Sequence, residues 1–178
     1  LTIKGKEAAR FPMLKEIGVM WSLVGHSERR TYYNETNESC NLKNIALLEN
    51  GMTPLYCVGE TLNEFEKGIT KEVIKAQIDV GLLGIEDIKE VVIAYEPVWS
   101  IGTGKNASKE IAEDICGYIR TLLKEKYGEE AERVRILYGG SVKPDNIKAY
   151  MAMPNIDGAL VGGASLTVES FSELINNI

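Results

Sequence analysis

Val91-Val92-Ile93-Ala94-Tyr95-Glu96-Pro97-Val98-Trp99-Ser100-Ile101-Gly102-Thr103-Gly104-Lys105-Asn106-Ala107 reads as a strand, a carboxylate, a loop and the approach to a helix. The apolar run predicts a buried strand. Glu96 stands before Pro97, and a pre-proline residue is pushed into extended geometry, so its carboxylate is held at the C-terminal tip of that strand. Strand tips of this kind are where α/β proteins place their chemistry. Pro97-Val98-Trp99 is stiff, Gly102-Thr103-Gly104 is permissive and Lys105-Asn106-Ala107 is small again, which predicts a lid between two short hinges. Spacing alone leaves a plainer reading open, a strand-ending glutamate on a glycine-rich connection.

Outward from this stretch, short apolar runs alternate with longer amphipathic ones, the pattern of a parallel sheet covered by helices. Helices are expected over Lys6 to Ile17, with the regular part starting near Pro12, and over Ser27 to Tyr33, Asn37 to Leu48 and Thr70 to Leu82. Ser108 is placed to cap the next helix, in which Ile111, Ile115, Tyr118, Ile119 and Leu122 share a face and after which Gly128 is the stop. Pro144 to Tyr150 and Val168 to Asn177 complete the helical set. Strands are expected over Val19 to Gly25, Thr53 to Val58, Val91 to Tyr95, Val134 to Tyr138 and Ala159 to Val161. Their tips fall at His26, Glu60, Glu96, Ser141 and Gly163, and parallel strands bring such tips to one edge. No Ser/Pro-rich linker divides the chain, so residues 1–178 are expected to form one domain.

Composition narrows the partners. The 178 residues are 44% hydrophobic and carry a net charge of −6, enough to bury a core and the wrong sign for nucleic acid. The longest apolar runs are strand-sized, so no membrane association and no signal segment are expected. Cys40, Cys57 and Cys116 are odd in number and lack metal-ligand spacing, which predicts reduced thiols in a cytoplasmic protein and no metal or cofactor.

His26 is the only histidine. A lone histidine beside a strand is ordinarily a satisfied core or surface residue. Here it directly precedes a helix start, whose positive end disfavours imidazolium and favours a neutral ring able to donate to a substrate oxygen. Gly139-Gly140-Ser141 and Gly162-Gly163 follow the last two strands and each precedes a helix, so backbone N–H groups converge on one anion-binding corner. Such pairs also occur in ordinary turns. Glu60 is a rival carboxylate at a neighbouring tip.

Ala94 to Gly104, Val24 to Arg30 and Tyr138 to Ser141 together resemble the signatures of the triose-phosphate isomerase family, and the likeness runs from about Met13 to the C-terminus. It implies a partial TIM-type β/α barrel of five parallel strands with covering helices. It also implies an isomerase of glycolysis and gluconeogenesis that interconverts glyceraldehyde 3-phosphate and dihydroxyacetone phosphate through an enediolate. By the same resemblance Glu96 is the base, His26 polarises the carbonyl, and Gly102, Ser141, Gly162 and Gly163 bind the substrate phosphate. Tyr138 latches the lid or packs in the core, Cys57 and Glu60 are structural, and Arg29, Arg30 and Glu35 form ion pairs.

Aligned to that family the chain begins after the third strand, and the Asn-x-Lys motif at the end of the family's first strand has no counterpart. Leu1 to Pro12 likewise departs from the family's dimer-forming third loop. A closed barrel needs about 250 residues and rarely fewer than about 200, so five units leave two open strand edges and an apolar inner face. A homo-oligomer or a completing chain is expected. Alternation along the first strand predicts Ser22, Val24 and His26 on that inner face, and Asn44, flanked by Leu42 and Ile45, marks either drift or a second contact face on its helix. The alternative to a working isomerase is a phosphate-binding or structural barrel fragment that self-associates.

Overall fold

The computed structural model describes residues 10–101 and 106–178. The predicted helix start at Lys6, most of the departure from the family's third loop, and the lid residues Gly102 to Lys105 lie outside the described residues.

Five strands form one parallel sheet in chain order: β1 (Trp21–Val24), β2 (Thr53–Val58), β3 (Val92–Tyr95), β4 (Ile136–Tyr138) and β5 (Gly158–Ala159). The helices between them are α1 (Arg10–Glu16), α2 (Ser27–Tyr33), α3 (Asn37–Glu49), α4 (Leu62–Glu66), α5 (Thr70–Gly81), α6 (Lys109–Tyr127), α7 (Ile147–Met151) and α8 (Val168–Asn176). Helix starts follow the caps: the Ser108 hydroxyl accepts from the Ile111 N–H, and Thr36 and Ser39 cap α3 reciprocally. α4 was not expected, yet its signature is in the sequence. Thr61 and Glu64 satisfy each other's backbone N–H groups, the Thr-x-x-Glu capping box that opens even a single turn.

The register assigns the two faces. Val24, Tyr56, Val58, Ile93, Tyr95, Ile136 and Tyr138 face the helices and pack on Ile74, Ile78, Ile119 and Leu123. Leu55, Cys57, Val92 and Ala94 form the opposite, inner face, with Leu137 and Leu160 at its margin. The pairings Ser22↔Pro54 and Val24↔Tyr56 put Ser22 and Val24 on the helix side, which corrects their expected inward orientation. Gly25, at φ +74°, breaks the alternation before His26, so parity along the strand does not carry to the histidine. The inner face is also less open than expected. Its centre is buried, and exposure is greatest at the β1 edge, where Trp21 and Leu23 are each about half exposed, while Leu137 and Leu160 at the other margin are partly buried.

β5 is shorter and earlier than predicted. The Leu160 N–H still donates to the Tyr138 carbonyl, but the chain leaves the ladder before Gly162. Its helix, α8, buries Leu174 while Val168, Phe171 and Ile175 stay exposed. Asn44 is fully buried, and its amide donates to the Gly81 carbonyl beside that of Asn41. It therefore caps the C-terminus of α5 rather than marking a second contact face. Among the described residues no helix is long and apolar enough to cross a membrane.

Candidate active site

Glu96 sits one residue past β3, tied to β2 by its N–H on the Val58 carbonyl at 2.7 Å. A Cβ at Gly59 would lie 1.8 Å from the Glu96 carbonyl oxygen, so only glycine allows β2 and β3 to come this close at their tips. The Gln77 side chain holds Gly59 from the far side, accepting from its N–H at 2.8 Å and donating to its carbonyl at 3.0 Å. The carboxylate that results is 3% exposed. One oxygen lies 3.0 Å from His26 Nε2, and the other accepts from the Ser27 N–H at 3.3 Å.

His26 is the N-cap of α2, where its Nδ1 accepts from the Glu28 N–H at 3.3 Å. With Nδ1 used as acceptor, Nε2 carries the proton and points it at Glu96. The hydrogen bond to Glu96 raises the imidazole pKa above its ordinary value, against the opposing effect of burial. The helix start thus selects the tautomer, while Glu96 outweighs its push toward the neutral ring.

The turn that delivers His26 is built around Glu35. The Gly25 N–H donates to one Glu35 oxygen at 2.9 Å, and Arg29 donates to the other at 3.1 Å, where Lys43 also binds. Burial pushes this carboxyl up, but the donors Lys43, Arg29 and the Gly25 N–H hold it below the usual carboxylate range. Arg30 reaches back to the Gly25 carbonyl at 2.7 Å and to the Cys57 carbonyl. These are the ion pairs expected of Arg29 and Glu35; Arg30 serves backbone carbonyls instead.

Glu60 is fully buried beneath the site, held by Trp99 Nε1 at 2.8 Å and the Tyr95 hydroxyl at 3.2 Å. Burial raises its pKa despite those donors. Because Trp99 is where the loop after Glu96 begins, Glu60 anchors one end of that loop. The Tyr150 hydroxyl anchors the other, donating to the Ala107 carbonyl at 2.6 Å. Tyr138 stacks on Tyr150 with ring centroids 4.4 Å apart, and its hydroxyl, like that of Ser100, is buried without a partner among the described residues. Burial, reinforced by the neighbouring Glu96 carboxylate, pushes the Cys57 thiol pKa well up.

A cavity of about 840 Å³ is lined by His26 and Glu96 at one side and by Gly139, Gly140, Ser141, Gly162 and Gly163 at another. Five of the six residues singled out in the sequence thus meet on one cavity; the sixth, Gly102, lies outside the described residues. The backbone N–H groups of Gly140, Ser141 and Gly162 donate to no acceptor among the described residues, so they are available to an anion. Helices contribute less to this corner than expected, because α7 begins only at Ile147 and Gly163–Ser165 is a single 3-10 turn. Asn146 shapes the loop instead, accepting from the Lys143 N–H and donating to the Ser141 carbonyl. Leu23 and Lys143 also line the cavity and were not anticipated.

The arrangement offers a proton acceptor, an imidazole N–H donor facing it, and unpaired backbone amides lining the same cavity. Comparison with known proteins gives the same direction. Residues 8–178 match the family model described as triosephosphate isomerase. The triosephosphate isomerase of Carboxydothermus hydrogenoformans is 54% identical over 166 residues, covering 92% of this chain and 66% of the relative. That of Clostridium botulinum is 54% identical over 167 residues, with 92% and 67% covered, and that of Acetivibrio thermocellus 51% identical over 166 residues. The chain therefore spans about two thirds of the length of these curated relatives. With the family model matched from residue 8 to residue 178 and half or more of the aligned residues identical to its members, this chain belongs to the triosephosphate isomerase family.

Proposed function

We propose that the cavity carries out proton transfer between adjacent carbons of a phosphorylated triose, interconverting glyceraldehyde 3-phosphate and dihydroxyacetone phosphate. The observation that carries this reading is the 3.0 Å approach of His26 Nε2 to a buried Glu96 carboxylate on the cavity that also holds Ser141, Gly162 and Gly163. Glu96 takes the proton from the carbon next to the carbonyl, and the electron pair moves onto the carbonyl oxygen to give an enediolate. His26 Nε2–H donates to the oxygens as their charge grows. As the hydroxyl proton passes from one oxygen to the other by way of His26 Nε2, Glu96 returns its proton to the neighbouring carbon, so no atom is gained or lost. A base buried this deeply works away from water, and donors already in place stabilise developing charge without reorganising.

In the structure His26 and Glu96 satisfy each other, so substrate must exchange that contact for two of its own. Once Glu96 turns to carbon, the cause of the raised imidazole pKa is removed and the ring binds the oxygen as a neutral donor.

Exposed Trp21 and Leu23 at the β1 edge and Val168, Phe171 and Ile175 on α8 are apolar surface that further polypeptide would cover. The second reading, a phosphate-binding module without turnover, is favoured by the intact amide corner. Isomerase assay of the parent and of Glu96→Gln separates the two: turnover that Glu96→Gln abolishes supports the enzyme, whereas binding of 2-phosphoglycolate with no turnover supports the module.

A further inference from the structure

Among the described residues, the cavity lining offers few cationic side chains. Glu96, Asp145 and Glu173 are among its lining residues, and Lys143 is the single lysine or arginine among them. The other basic groups near the site are spent elsewhere: Arg29 and Lys43 on Glu35, and Arg30 on the Gly25 and Cys57 carbonyls and Asn37. Backbone amides orient a phosphate, but a dianion entering beside three carboxylates also needs a formal cation.

We infer that Lys143 is that cation, a phosphate-binding residue of this chain; the inference rests on the reading of the Gly140, Ser141, Gly162 and Gly163 corner given above. The local chain explains the placement. Ser141, Val142 and Lys143 follow one another along the cavity wall; Val142 is buried at 7% exposure, whereas Lys143 is exposed. Asn146 fixes that stretch. Its side chain accepts from the Lys143 N–H at 2.8 Å and donates to the Ser141 carbonyl at 3.0 Å, and the Ile147 N–H closes on the Lys143 carbonyl at 3.0 Å. The lysine backbone is therefore held in register with Ser141, and its ammonium group, which makes no ion pair among the described residues, is free to follow the ligand.

Calorimetric titration of the full chain with inorganic phosphate tests this. Lys143→Met is expected to weaken binding roughly five- to tenfold at low salt, and Lys143→Arg to restore most of it. The difference between parent and Lys143→Met should fade near 1 M salt, where the screening length falls to about 3 Å. Parent affinity should also rise more steeply than that of Lys143→Met as phosphate gains its second charge between about pH 5.5 and 8. Lys143 is exposed, so an unchanged melting curve will accompany these variants. Phosphate binding that Ser141→Asp weakens and Lys143→Met does not would overturn the inference and leave the corner standing. No phosphate binding by the parent would overturn both.

Discussion

Gly59→Ala perturbs the site through the backbone alone. The new methyl group would stand 1.8 Å from the Glu96 carbonyl oxygen and 2.6 Å from its carbon, against a practical limit of 3.0 Å. The two strand tips must therefore separate by about 3.0 − 1.8 = 1.2 Å. Neither side yields easily, since Gln77 brackets Gly59 and the Val58 carbonyl and Pro97 bracket Glu96. Overpacking of this kind costs about 1–3 kcal/mol. It also carries the carboxylate away from His26, and a misplacement of about 1 Å is enough to cost on the order of 100-fold in rate. Two assays read the two effects. Urea unfolding should give a lower midpoint at unchanged slope. NMR titration of the imidazole, unambiguous because His26 is the only histidine, should show its pKa falling back toward the ordinary value of about 6.5. An alanine variant with parental stability and a parental His26 titration would refute the argument.

The remaining predictions concern charge and assembly. His26 has a raised pKa through Glu96, so that pair stabilises the fold fully below the unfolded value near pH 6.5, and its contribution is lost as pH rises through the folded value. Glu35 works in the opposite sense: its lowered pKa contributes stability above the ordinary carboxylate pKa of about 4.3 that is lost as pH falls through the folded value, and Glu35→Gln should remove that acid-side slope in pH-dependent melts. Arg120→Met leaves the Ala131 and Val134 carbonyls, Asn155 and Asp157 without their common donor. Because Asp157 is 35% exposed, the loss should fall at the low end of the range of about 3–5 kcal/mol for breaking a buried pair, measured by denaturant melts. Light scattering at micromolar concentration should show self-association through the exposed Trp21 and Leu23 edge and the Val168, Phe171 and Ile175 face of α8; Leu23→Lys should shift the protein toward monomer, and a monomer at all concentrations would contradict the expectation.

How much of this was legible in the residues depends on the range of the interaction that decides each feature. The order of strands and most helix limits follow from local signals, such as Ser108 and Gly128 around α6, and the structure agrees with them. α4 was equally local and was overlooked because its capping box precedes no long apolar face. Where the sequence reading failed, a contact from elsewhere in the chain decided. The facing of Ser22 and Val24 is set by the register with β2, and Asn44 is explained only by the carbonyl of Gly81 on another helix. The state of the His26 ring could not be read from its helix start, because Glu96, seventy residues on in the chain, pulls harder. Lys143 is silent in the sequence for a similar reason: its place beside Ser141 gains meaning only once Gly162 and Gly163 line the same cavity.

The central claim is that Glu96 removes a carbon-bound proton from a phosphorylated triose held against His26. Exchange of the C1 hydrogens of dihydroxyacetone phosphate with deuterated water, followed by NMR in the presence of the purified chain, tests that step without requiring complete turnover. The account predicts exchange above the solvent background for the parent and none above it for Glu96→Gln, with the circular dichroism of the two proteins alike. Equal exchange in both would contradict it.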